Sequence, residues 1–154
     1  MLHQKLPLLL FTFFLGTAAF AQDRGLGLGV ILGEPSGVSG KSWLSNKTAL
    51  AGAVAWSLEG EEALHVHLDH LFHDFNSMPV EEGTLALYYG FGGRIKFADK
   101  GTVSVRIPLG MNYWFENAPI DFFLEIVPML DLIPNTEFNF NGGIGVRYFF
   151  KTKK

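Results

Sequence analysis

From Arg24 onward the chain alternates between apolar and polar positions, and the plainest case is residues 102–115, TVSVRIPLGMNYWF. One side of that segment carries Val103, Val105, Ile107, Leu109, Met111, Tyr113 and Phe115, and the other Thr102, Ser104, Arg106, Pro108, Gly110, Asn112 and Trp114. Seven apolar residues in succession on one side specify a strand with one face in an apolar medium. The closing segment FNFNGGIGVRYFF sets Phe138, Phe140, Ile144, Val146, Tyr148 and Phe150 against Asn139, Asn141, Gly143, Gly145 and Arg147 in the same way. Six more segments follow this scheme, near 24–33, 37–44, 48–59, 62–73, 84–97 and 120–132. Turn residues separate them: GEPSG, SNK, EGE, NSMPVEEG, ADKG, ENAP and IPNTE.

The pattern therefore predicts eight strands, with no helical segment and no linker between them. Strands of soluble proteins run to about 5–6 residues, whereas a tilted strand crossing a bilayer needs about 9–11; most segments here reach the longer figure. The two faces then decide the medium on each side. The apolar face is nearly unbroken, with aromatic residues gathered at strand ends, while the other carries Lys41, Glu59, His65, His67, Asp69, Arg94, Lys96, Arg106, Asp121, Glu125 and Arg147 among glycines. A mixed-sign polar interior under an apolar exterior is the membrane arrangement, opposite to that of a soluble ligand-carrying barrel. The expected fold is all-β: an eight-stranded antiparallel up-and-down transmembrane β-barrel, its lumen filled by side chains rather than open as a water channel.

The first residues, MLHQKLPLLLFTFFLGTAAFAQ, have a weakly basic start at Lys5, a short apolar run and an Ala19-Phe20-Ala21 cleavage pattern. They read as a secretory signal peptide, 1–21, cut after Ala21, with residues 22–154 forming the barrel domain. After it no run approaches the ~18 apolar residues of a helical span. Export across a bacterial inner membrane puts the N-terminus of the barrel in the periplasm, and eight strands return the C-terminus there. Tyr113, Phe115, Tyr148 and Phe150 then form a periplasmic aromatic girdle. The longest connection, 74–83, falls on that side, and the turns on the outward side are short.

Composition adds little to this. The full chain has 12 Lys and Arg against 15 Asp and Glu, for a net −3, one unit more negative without Lys5. The one basic cluster, Lys151-Thr152-Lys153-Lys154, is too short to indicate nucleic acid. With no cysteine, no disulfide supports the exported domain, which leaves its own interior and the membrane to do so.

Several longer stretches carry a resemblance: GVILGEPSGVSGKSWL, LHVHLDHLFH, LYYGFGGRIKF, VRIPLGMNYWFENAPIDFFLEIVPMLDLIP and NGGIGVRYFF. Over nearly the whole mature chain they resemble a family of small bacterial outer-membrane β-barrel proteins, similar in architecture to the OmpA-type transmembrane domain. The resemblance implies an outer-membrane location and an eight-stranded barrel. It implies no reaction and no catalytic residues.

The segment LHVHLDHLFHDF, 64–75, holds four of the five histidines. Alternation puts His65, His67, Asp69 and His73 inside and His70 outside. His65 and His67, at i and i+2, are candidates for a metal site only if Asp69 or Glu125 completes the set; the plainer reading is that both bond to interior carboxylates. A lipid-modifying enzyme would need His70, with Asp69 or Asp74, to meet a serine such as Ser57 or Ser104, and alternation sends those serines inward. GEPSG reads as a tight hairpin and GFGGR as a glycine-lined strand with no helix to follow it. The expectation is a non-enzymatic envelope protein without cofactor. It would contact outer-membrane lipid and an envelope or extracellular protein partner. The alternatives are a ligand- or metal-binding lumen or periplasmic mouth and, behind it, an envelope-lipid-modifying enzyme.

Overall fold

A computed structural model describes residues 25–57 and 62–150. The expected cleavage after Ala21, Glu59 and the basic tail lie outside the described residues. Nine strand segments follow in order: β1 (Leu26–Glu34), β2 (Ser36–Trp43), β3 (Thr48–Ser57), β4 (Ala63–Asp74), β5 (Thr84–Phe97), β6 (Thr102–Arg106), β7 (Leu109–Trp114), β8 (Ile120–Ile133) and β9 (Glu137–Phe150). Among the described residues there is no helix.

All pairings are antiparallel, and they close. β1 lies between β2 and β9; the ladder continues through β3 and β4 one way and through β8 the other, and β4 pairs with β5. β6 and β7 occupy one position, each between β5 and β8. The result is an eight-position antiparallel barrel with no free sheet edge.

One expectation needs correcting. Residues 102–115 do not form a single strand: β6 ends at Arg106 and β7 begins at Leu109. Pro108 has no N–H to give to a ladder. The break stays local, because Ile107 N donates to Pro128 O at 3.0 Å and Gly90 N to Pro108 O at 3.1 Å. Arg106 pairs with Gly92 and Leu109 with Tyr89, so the register on β5 runs through the break unchanged. A second irregularity, a register shift at Val103/Ser104, puts Leu132 and Ile133 both on the exposed side.

Partners followed around the ring from Leu28 through Gly40, Gly52, Leu68, Gly93, Val105 and Leu130 to Phe138 return to β1 displaced by about ten residues, the stagger of a strongly tilted small barrel whose interior side chains can fill. Size is distributed accordingly. β3 turns Ala49, Ala51, Ala53 and Ala55 inward, and Ala53 packs with Ile31 and Phe123. Gly92 is required by close approach, since a Cβ there would run into Asp69 Oδ1 and the Leu68 carbonyl. At Gly145 a Cβ would occupy the space of the Phe123 ring.

Outside, every one of the eight positions exposes large apolar residues, Leu, Val, Ile, Phe, Tyr or Trp, with glycines such as Gly93 and Gly142 between them. Among the described residues no Asp, Glu, Lys or Arg occupies that face between the strand ends, and its one imidazole is His70, stacked on Phe91 at 5.7 Å. Tyr113, Phe115, Tyr148 and Phe150 lie on it at the end where β1 begins and β9 finishes, with Tyr113 edge-on to Phe115 and Tyr148 to Phe150. Trp56, Phe97, Phe138 and Phe140 are exposed toward the other end.

Candidate functional site: the barrel interior

Strand alternation brings the polar chemistry of the chain inside, where it forms three levels. At the level nearest the β1–β2 turn, Arg94 on β5 reaches Asp131 on β8, Nη2 to Oδ1 at 3.1 Å, and donates to Ser104 Oγ at 3.0 Å. Ser104 in turn donates to Asp131, and Asn139 Nδ2 donates to the second Asp131 oxygen. Arg94 Nη1 also donates to His65 Nδ1 at 3.4 Å.

At the middle level Arg106 stands between two acids. Its Nε is 2.8 Å from Asp69 Oδ1, an ion pair outside hydrogen-bond geometry, and its Nη2 is 3.6 Å from Glu125 Oε2. Tyr88 donates to the other Glu125 oxygen at 2.9 Å, and His67 Nε2 lies 3.8 Å from Asp69 Oδ2.

The level nearest the termini is a relay. Arg147 meets Asp121 with two nitrogens, at 3.0 and 3.1 Å, over the Phe123 ring at 4.0 Å. Asn112 donates to Asp121 at 2.9 Å and accepts from Lys41 Nζ at 2.7 Å. Lys41, 1% exposed, sits among Trp43, Tyr88 and Trp114 at 4.6, 5.6 and 5.3 Å. Its ammonium also meets His73 Nε2 at 2.7 Å. An ammonium has no lone pair, so Nε2 accepts and His73 carries its proton on Nδ1, which faces the Lys47 carbonyl at 3.0 Å. Phe75, from the 75–83 connection, closes this end against Trp43 and Trp114.

Of the residues expected inside, Lys41, His65, Asp69, Arg94, Arg106, Asp121, Glu125 and Arg147 are buried, and His67 and Lys96 are half-buried. Asp121 and Glu125 serve different arginines, and Asp69 is the nearer partner of Arg106. Asp131, Tyr88 and Asn112 complete the interior and were not singled out from sequence; alternation from Asp121, Arg94 and Trp114 places each inward. Among the described residues no group of three or more His, Asp or Glu side chains is arranged to hold a metal ion. Arg94 is always a donor, so His65 Nδ1 accepts from it, and His65 presents an N–H rather than a lone pair at Nε2.

A closed antiparallel barrel with a side-chain-filled interior is thus the class the fold defines. A solved structure is similar in fold: the N-terminal β-barrel domain of Pseudomonas aeruginosa OprF, with a TM-score of 0.62 and 14% identity, covering 83% of this chain and 98% of that one. No family model matches the chain, and neither does any curated protein.

Proposed function

We propose that this chain is a non-enzymatic outer-membrane protein of a bacterial envelope, with a structural or interaction role. On this reading the leader is cut after Ala21 and the strands cross the bilayer. Both barrel termini are periplasmic, and the short hairpins face outward. The reading rests above all on the outer face, which is apolar on all eight strand positions apart from Ser42 and His70 and, among the described residues, carries no acid, lysine or arginine between the rims. The largest apolar patch on a soluble monomer covers about 300–600 Å2, whereas here the apolar surface runs around the whole ring. Aromatic residues toward both ends fit the two interfaces of a bilayer, and the barrel fold shared with the OprF domain fits the same setting. The interior fits a non-enzymatic role: Ser104 is buried, and the carboxylate it donates to, Asp131, is ion-paired with Arg94 and so is a weak base. Partners on this reading are outer-membrane lipid and a protein of the envelope or the exterior.

The test is expression with the leader in a bacterium that has an outer membrane. The expected result is recovery in that membrane, heat-modifiable migration on gels and a mature N-terminus at Gln22. Recovery as a soluble periplasmic protein overturns the reading.

A further inference from the structure

At the end of the barrel bounded by the β1–β2 turn lies a cavity of ≈ 20 Å3 that the proposed function does not use. Three neighbouring ring positions give it basic groups: His65 and His67 from β4, Arg94 from β5 and Arg106 from β6. The remaining wall is apolar at Ile31, Pro35, Ala55 and Val127 and polar at Asn141 and at Glu125, whose carboxylate is held by Tyr88 and Arg106.

Hydrogen-bond valence shows what this wall lacks. His65 Nδ1 accepts from Arg94, so the neutral ring carries its proton on Nε2. That Nε2 is buried with no partner among the described residues, and Arg94 Nε is in the same position. The two side chains are 4% and 5% exposed, so bulk solvent does not satisfy them. The acids nearby are already engaged: Asp131 by Arg94, Ser104 and Asn139, Glu125 by Tyr88 and Arg106, and Asp69 by Arg106. Lys96 pairs beside His65 on the next strand and adds positive charge at this level. Among the side chains that line the cavity the unmet atoms are donors, and a buried donor without an acceptor costs about 1–3 kcal/mol.

We propose that this cavity binds one small inorganic anion of halide size, held by His65 Nε2–H and Arg94 Nε–H. The volume accepts a single small occupant. A water molecule would satisfy the donors but must also place its own hydrogens, and the acceptors on this wall are Asn141 and a Glu125 carboxylate already held by Tyr88 and Arg106. An anion asks for donors only, and its bonds to a guanidinium are charge-assisted. A metal cation meets N–H groups and two guanidinium ions instead of lone pairs. The proposal needs the folded barrel and does not depend on which membrane holds it.

The test uses the full-length mature chain refolded in detergent, with thermal unfolding followed in sodium chloride and in sodium gluconate at equal ionic strength. Gluconate is too large for the cavity, so the expected result is a saturable rise of the midpoint with chloride. The rise should vanish in His65→Ala and persist in part in His65→Gln, which keeps an amide donor. Equal midpoints in the two salts, or an undiminished rise in His65→Ala, overturn the proposal. A bromide soak of wild-type crystals serves if the variants do not refold. An anomalous peak within hydrogen-bond reach of His65 Nε2 supports the site, and water density without a peak overturns it.

Discussion

Replacing Asp121 with alanine tests the interior where its geometry is tightest. The carboxylate is 0% exposed and accepts three hydrogen bonds, two from Arg147 and one from Asn112. Without it the Arg147 guanidinium, 2% exposed, keeps only the face of Phe123. Leaving one partner of a buried pair uncompensated costs about 3–5 kcal/mol. Asn112 loses its acceptor as well, worth about 1 kcal/mol more, and through Asn112 the loss reaches Lys41. Against a typical domain stability of about 5–15 kcal/mol this is a large fraction. Asp121→Leu combined with Arg147→Met removes both charges together, and a buried pair exchanged for apolar groups of similar volume is often neutral. The double variant should therefore recover most of the loss seen in Asp121→Ala. Urea unfolding of the refolded protein in detergent reads both values, and fluorescence is a suitable signal because Trp114 pairs with Asp121 in register and Trp43 packs at the same end. A loss below about 1 kcal/mol for Asp121→Ala, the range of exposed pairs, refutes the reasoning. So does a double variant as unstable as the single one, because the cost would then lie in packing.

Glu125→Leu should cost less than Asp121→Ala, about 1–3 kcal/mol, because Arg106 retains Asp69 at 2.8 Å; Glu125→Asp should cost less again, and the reverse order in the same titration counts against the assignment. On the outer face, Ile126→Arg lies midway along β8 and should cost about 2–4 kcal/mol in lipid vesicles, against about 0–1 for Tyr148→Arg at the rim. Equal costs at the two depths would show that this face does not meet hydrocarbon.

The barrel was legible because its pattern is redundant. Residues 84–97 and 120–132 keep one side free of charge along their whole length while every charged residue falls on the other, and a period of two assigns the inward side of every residue once one is known. The break at Pro108 was less visible, since 102–115 alternates straight through it and both halves hold one register. The interior was legible by side but not by partner. That Arg106 and Arg147 point inward follows from their strands, whereas the choice of Asp69 for Arg106 depends on the registers of β4, β5 and β6 against one another. Asp69 on β4 and Arg106 on β6 meet across β5, where Gly92 leaves the room. No local pattern encodes that encounter. The bulge at Val103/Ser104 also lacks a signal, because Leu132 and Ile133 fit the apolar face equally well.

Buried ion pairs are poor sources of net stability, yet three arginines occupy this interior, and the outer face suggests why. An apolar exterior against an apolar interior would make the two sides of each strand interchangeable, and a slip of one residue would go unpunished. With the present sequence such a slip turns Arg106, Asp121, Glu125 and Arg147 outward and brings Val105, Phe122, Leu124 and Val146 in. On the proposed membrane reading an arginine turned outward meets the bilayer and costs about 2–4 kcal/mol at its centre, and each exported carboxylate also leaves its partner behind. The charges therefore act on the misregistered states more than on the native one. The glycines and alanines of β1, β3 and β9 make the arrangement affordable in space, since long side chains need small neighbours across a narrow ring. Tyr88 and Asn112 satisfy what the charges leave over, at Glu125 and at Asp121 with Lys41. At the middle level the buried atoms without a hydrogen bond, Arg106 Nε and Asp69 Oδ1, at least face each other as an ion pair, whereas beneath the β1–β2 turn the donors at His65 Nε2 and Arg94 Nε face no acid. In an interior whose polar groups elsewhere serve register and sidedness, that surplus is what singles out the cavity as a place to bind something.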